Sequence, residues 1–219
     1  VLPRDPPDRI GKFGDLTQWR HEGYGTMKLD AGEAGVMRIE CVGSEQGGTG
    51  SQAFCRKDFP DGVAIEYDLK VLTSNGLAIT FIAMKGSGGE DMFDEKMPKR
   101  TGVFADYMRN ERLASYHVSV SRYNDKGAHT GVSNWRRNPG LKLMNGGPDL
   151  CKEINRWYRI RIVKDGGHLQ LGVDGKLAHE FTDAGEPGSP VPSDGKIGFR
   201  AIGSDVRMLV KNFRVTLLK

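Results

Sequence analysis

A chain of 219 residues with 37% hydrophobic and 27% charged side chains is long enough for one sizeable core and too apolar for wholesale disorder. The net charge of +4 permits an anionic partner without calling for nucleic acid, and no apolar run is long enough to cross a bilayer. The three cysteines, Cys41, Cys55 and Cys151, are too few for a disulfide framework and lack metal-site spacing.

In chain order, the proline-rich start (Pro3, Pro6, Pro7) reads as an extended arm over about residues 1–15 of one domain that spans 1–219. Period two then dominates. Met37, Ile39 and Cys41 alternate with Arg38 and Glu40, and Ile65, Tyr67, Leu69 and Val71 alternate with Glu66, Asp68 and Lys70. Between Leu77 and Met84 both parities are mostly apolar, so this strand is expected to be central and covered on both faces. A further strand runs near Leu113 to Arg122. Tyr158, Ile160 and Ile162 open another, and Leu169, Leu171 and Val173 lead into Asp174-Gly175, a strong hairpin signal. Lys176 to Phe181, Lys196 to Ile202 and Val206 to Leu218 complete the set. About ten strands, 30 glycines spread among turns and no sustained helical period predict an all-β, two-sheet antiparallel sandwich or a barrel. Tyr67, Leu69, Phe81, Ile160, Leu171 and Phe199 are expected between the sheets. Cys41 and Cys55 fall on successive predicted strands, where a disulfide is feasible, but buried thiols are the favoured reading.

Two stretches, Lys85 to Arg112 and Tyr123 to Arg156, read as long polar connections, and loops of that length in a compact domain are usually functional. They carry the aromatics Phe93, Phe104, Tyr107, Tyr123 and Trp135.

These stretches also carry a resemblance. Gly89-Glu90-Asp91-Met92-Phe93-Asp94, Pro98-Lys99-Arg100-Thr101-Gly102, Ser115-Tyr116-His117-Val118-Ser119, His129-Thr130 and Asn134-Trp135-Arg136-Arg137-Asn138-Pro139-Gly140 resemble the YesU-like family. Trp157-Tyr158-Arg159-Ile160, Val173-Asp174-Gly175-Lys176 and Gly195-Lys196-Ile197-Gly198-Phe199-Arg200 are similar to the wider concanavalin A or laminin-G-like superfamily. The resemblance spans roughly residues 20 to 217. It implies a jelly-roll fold and an association with polysaccharide utilisation, without a settled reaction. Fold analogy alone assigns no chemistry.

The residues themselves suggest where chemistry would sit. His117 shares its strand parity with Ser115, Ser119 and Ser121, a small-polar face unlike a core and suited to the floor of a ligand cleft. From Lys126 to Lys142 there is no acid, while His129, Arg136 and Arg137 interleave with Asn134, Trp135 and Asn138. Arginine forks grip carboxylates or sulfates, and a tryptophan face stacks on a sugar ring. The first expectation is therefore β-elimination, of lyase or dehydratase type, on an acidic poly- or oligosaccharide. Arg136 or Arg137 with Asn134 would neutralise the uronate, His117 would act as base and Tyr107 or Tyr123 as acid. Arg122, Tyr123, His129, Trp135, Arg137, Asn138, Asp91 and Arg100 would bind substrate, and His117, Tyr107, Arg122, Asn134 and Arg136 would converge on one concave surface. The parity of Arg122 matches Tyr116 rather than His117, so it reaches the cleft only if the strand twists or ends there. One alternative is a glycoside hydrolase using Glu90, Asp91 or Asp94, with Glu66 and Asp68 as a second carboxylate pair. Another is a non-catalytic carbohydrate-binding module. No cofactor or catalytic metal is expected, a structural calcium ion stays open, and neither nucleic acid nor membrane is an expected partner. A secreted or periplasmic location is expected rather than a cytoplasmic one.

Overall fold

Strand alternation builds two sheets whose facing sides must both be apolar. The computed structural model describes residues 13, 15–43 and 49–218, so the expected N-terminal arm lies almost wholly outside the described residues. The strands are Trp19–Gly23 (β1), Thr26–Leu29 (β2), Met37–Val42 (β3), Gly50–Cys55 (β4), Val63–Val71 (β5), Gly76–Gly86 (β6), Leu113–Tyr123 (β7), Val132–Asn138 (β8), Lys142–Pro148 (β9), Tyr158–Asp165 (β10), His168–Val173 (β11), Lys176–Thr182 (β12), Lys196–Ile202 (β13) and Asp205–Leu217 (β14). One helical turn, Ala105–Met108 (α1), interrupts them. One seven-stranded sheet runs β1-β4-β13-β6-β7-β8-β9 and the other β12-β11-β10-β5-β14-β3-β2, with every pairing antiparallel. The fold is thus an all-β antiparallel jelly-roll sandwich.

The core lies between the sheets, where Tyr67, Leu69, Ile160, Leu171 and Phe199 meet Trp19, Tyr116, Val118 and Trp135. Phe81 departs from expectation. It is fully buried, but in a second apolar cluster on the outer face of the β1–β9 sheet. The cause is visible in β6: Ala78 and Ile82 enter the inter-sheet core, whereas Ile79 and Phe81 point the other way. The strand is covered on both faces, as its composition predicts. The Asp174-Gly175 hairpin also forms as expected, with φ of 50° and 77°.

The stretch after Tyr123 needs correction. Residues 123–156 are not one long loop, because β8 and β9 lie inside them and extend the sheet by a hairpin through Asn138-Pro139-Gly140-Leu141. Gly86 to Arg112, by contrast, is an irregular segment, and it folds back over the outer face of its own sheet. Met92, Met97, Tyr107 and Met108 from this roof pack against Phe54, Ile79, Phe81 and Met84. Where the roof crosses β1, the two backbones nearly touch: a Cβ on Gly102 (φ 101°) would lie 2.5 Å from the Gly23 Cα. Only glycine allows that approach. All three cysteines are buried free thiols, so Cys41 and Cys55 do not pair.

Candidate functional site on the outer face of one sheet

Strand register places two rows of side chains across the outer face of the β1–β9 sheet. The first runs Arg20, Phe54, Gly198, Phe81, His117, Arg136 and Leu143. The second runs Glu22, Gln52, Arg200, Ile79, Ser119, Asn134 and Gly146. Ser115 and Asn138 pair beside the first row. Gly198 has a packing reason for its identity, since a Cβ there would lie 2.2 Å from the Phe54 ring.

The roof divides this face. Beneath it, Arg100 forms a fork with Glu22 at 2.7 and 2.6 Å, both side chains being nearly buried, and the Tyr107 hydroxyl donates to the same carboxylate at 3.3 Å. Tyr107 stacks on Phe54 with centroids 6.0 Å apart, and the Arg200 guanidinium lies 5.3 Å from its ring. Arg200 Nη2 donates to the Gly102 carbonyl at 3.0 Å. Burial, with the neighbouring Glu22 carboxylate, raises the Tyr107 phenol far above its ordinary range. Burial also lowers Arg200 to about 10. An open cavity of about 820 Å³ lies at the β1 edge, bounded by Arg20, Glu22, Phe93, Asp94, Lys99 and Arg100.

Outside the roof the same face is differently furnished. Arg136 and Asn134 are half-buried, a Cβ on Gly146 would lie 3.7 Å from Asn134 Oδ1, and Leu143 beside Arg136 is 53% exposed. Arg122 reaches this face despite its nominal parity, because Ser121 takes a positive φ of 51° and the β6–β7 register shifts there. Arg122 Nη1 donates to the Val132 carbonyl at 3.0 Å. In the amide orientation that satisfies both ends of Asn134, Nη1 also donates to Asn134 Oδ1 at 2.8 Å. Arg136 Nη1 donates to the Leu141 carbonyl at 2.6 Å. Among the described residues neither guanidinium has a carboxylate in ion-pair contact. Arg122 is lowered mainly by burial, with repulsion from Arg136 adding to it and Asp149 opposing it.

His117 sits between these halves, 3% exposed, with its ring 5.7 Å from Phe81. Asn138 Nδ2 donates to His117 Nδ1 at 2.9 Å and to Ser115 Oγ at 2.9 Å. That bond makes Nδ1 the acceptor and leaves the ring proton on Nε2. Burial, then the Arg136 and Arg200 charges, push the imidazole down to about 3. The imidazole is therefore neutral around neutral pH.

Several residues expected at the site lie elsewhere. Trp135 is fully buried in the inter-sheet core against Tyr116 and Phe181 and offers no face to a sugar, because it belongs to a strand and points inward. Arg137, its inward-leaning neighbour, is 2% exposed and clasps Asp183 at 2.7 and 2.8 Å, with Tyr116 donating to the same carboxylate at 2.6 Å. Tyr123 and His129 meet edge to face at the end of β7, where His129 Nε2 lies 3.0 Å from the buried Asp149. Arg100 and Asp91 belong to the roof, where Asp91 Oδ2 accepts from Lys196 at 3.0 Å. The carboxylates considered for hydrolysis are engaged too. Asp94 Oδ1 accepts from the Lys96 amide at 2.8 Å and Glu90 Oε2 from the Gly88 amide at 2.9 Å. Glu66 and Asp68 lie on the opposite sheet, paired with Arg214 and Arg159. Glu22, Gln52 and Arg200 share the face yet have no local sequence signal, since only cross-strand register brings them there. Among the described residues no three His, Cys, Asp or Glu side chains cluster as a metal site, and no helix is long and apolar enough to cross a membrane.

Comparison with known proteins follows this geometry. The chain is 29% identical to the uncharacterized protein YesU of Bacillus subtilis (strain 168) over 206 residues, covering 92% of this chain and 90% of that one. It superposes on a crystal structure of a protein of unknown function with galectin-like fold from Bacillus subtilis at TM-score 0.86, with 25% identity and both chains fully covered. The potassium-bound Emp46p carbohydrate recognition domain matches at TM-score 0.65 and 14% identity, covering 97% of this chain and 94% of that one, a likeness of fold. A family model described as a domain of unknown function, DUF1961, matches residues 9–215, and the chain belongs to that family.

Proposed function

We propose that the protein binds an acidic poly- or oligosaccharide on the open half of this outer face, with Arg122 and Arg136 holding a carboxylate or sulfate and Asn134 orienting it. The observation that carries the reading is the pair of adjacent, half-buried arginines, neither of which has a carboxylate in ion-pair contact among the described residues, although Asp149 acts on Arg122 from further off. Guanidinium forks grip such anions by paired hydrogen bonds. The flanking, exposed Leu143 suits the apolar face of a sugar ring. The fold likeness to a carbohydrate recognition domain supports a saccharide over other anions.

β-Elimination by the same residues is the less supported reading. A base must accept a proton, yet the His117 imidazole is buried, engaged by Asn138 through Nδ1 and held down to about 3. Tyr107, the candidate acid, is buried under the roof and bonded to Glu22. Isothermal calorimetry against uronate and neutral oligosaccharides, run alongside an absorbance assay for unsaturated products, tests both readings. Binding of the acidic set without product formation is expected. Turnover abolished by His117→Ala would replace the binding module with a lyase.

A further inference from the structure

A second cavity, of about 320 Å³, opens where β6 ends and β7 begins, beyond the Ser115–Asn138 pair, between the start of the roof and the 188–194 segment. Asn138 lines it and is 1% exposed. The Asn138 Nδ2 is spent on Ser115 and His117, while its Oδ1 is buried with no hydrogen-bond partner among the described residues. Leaving such a group unmade costs about 1–3 kcal/mol. Exchanging the amide ends does not cure this, because Nδ2 would then be the orphan. A hydroxyl, both donor and acceptor, satisfies either arrangement.

The walls define the rest of the ligand. Pro139, Pro190 and Pro192 are apolar and lack N–H groups. At the rim Lys85 and Asp194 cancel each other at 2.6 Å. Unlike the arginine pair, the described residues lining this cavity, which also include Glu111, offer no cation beyond the paired Lys85 to attract an anion.

We propose that the cavity is a subsite for a neutral, hydroxyl-bearing sugar unit, with one hydroxyl on the Asn138 amide and the ring against the prolines. Asn138 lies two residues from Arg136 along β8 and on the same face, about 7 Å away. A neutral unit here would therefore adjoin an anionic one held by Arg122 and Arg136. The identity of the ligand as sugar rests on the function proposed above, whereas the cavity and its orphaned amide do not.

The test follows alanine and valine methyl NMR signals of the full chain during titration with methyl β-D-glucopyranoside, methyl β-D-galactopyranoside, glycerol and glucuronate. Saturable shifts at Ala83, Ala114 and Val191 are expected with at least one methyl glycoside. Affinity should fall about tenfold or more both in Asn138→Ala and in Ser87→Trp, which fills the cavity from an exposed position. Glucuronate binding should survive Ser87→Trp unchanged. Absence of saturable glycoside shifts, shifts by glycerol alone, or shifts untouched by Ser87→Trp would overturn the subsite. If glucuronate binds and the glycosides do not, the subsite fails alone. If the glycosides bind here and glucuronate does not, the arginine site fails and the subsite stands.

Discussion

The two halves of one sheet face treat their charges in opposite ways. Under the roof, Glu22 meets Arg100 and Tyr107, and the polar groups serve to seat the segment over Phe54 and Phe81. On the open half, Arg122 and Arg136 hold only carbonyls and an amide. Both halves come from the same register, so the difference lies in what covers them. In the function proposed above, closed polar groups are structural, and uncovered ones without a carboxylate in contact serve a ligand. Removing a charge should therefore cost stability on one side and affinity on the other.

The largest effect is expected under the roof. Arg100→Ala strips the buried Glu22 carboxylate of its forked partner, leaving Arg20 Nε at 3.3 Å and the Tyr107 hydroxyl, and should lower stability by about 3 kcal/mol, read from urea unfolding. An Arg100→Ala protein as stable as wild type would mean that the roof pair is not structural. On the open half, Arg136→Ala should weaken binding of uronate oligosaccharides about tenfold to a hundredfold, as expected for charge-assisted hydrogen bonds, with unfolding little changed. Calorimetry at two salt concentrations should show a shallower salt dependence in the variant.

A smaller effect marks the boundary between the halves. In the folded protein His117 stays neutral down to about pH 3, against an ordinary value of 6.5. Between these values the unfolded chain binds the extra proton. The stabilisation linked to His117 is thus complete above about pH 6.5 and is lost as pH falls toward 3. His117→Gln should flatten the fall in unfolding free energy between pH 6.5 and 4. His179, lowered to about 4 by burial, contributes with the same sign and should leave a residual slope. An unchanged slope would contradict the buried, neutral assignment. The smallest effect is expected at Asp91. Its loss leaves Lys196 still bonded to Asp58 and to the Arg56 carbonyl, so Asp91→Asn should cost under about 1 kcal/mol and leave saccharide affinity unchanged.

The same contrast separates what the sequence makes legible from what it hides. Alternation in β5, β10 and β11 and the double-sided apolar run of β6 point directly to the sandwich. β8 and β9 are hidden because Asn134, Arg136 and Asn138 make one parity polar, although Trp135 buried among them is the inward signal of a strand. Misreading that strand as a loop turns a core tryptophan into a sugar platform. The small-polar face around His117 is legible from Ser115, Ser119 and Ser121. The burial of His117 is not, since Phe81 and Asn138 close on it from the neighbouring strands and Arg200 acts on it from β13. Glu22, Gln52 and Arg200 join the face only through β1-β4-β13 pairing, a long-range order that local periodicity does not encode.

The central claim, that the uncovered arginines form an anion site, is tested most directly by calorimetric titration of a uronate oligosaccharide into wild type, Arg122→Ala, Arg136→Ala and Arg100→Ala. The account predicts saturable binding by wild type, strongly weakened by loss of Arg122 or Arg136. Folded Arg100→Ala, studied well below its melting temperature, should keep its affinity. Equal affinity in wild type and in both open-half variants would contradict it.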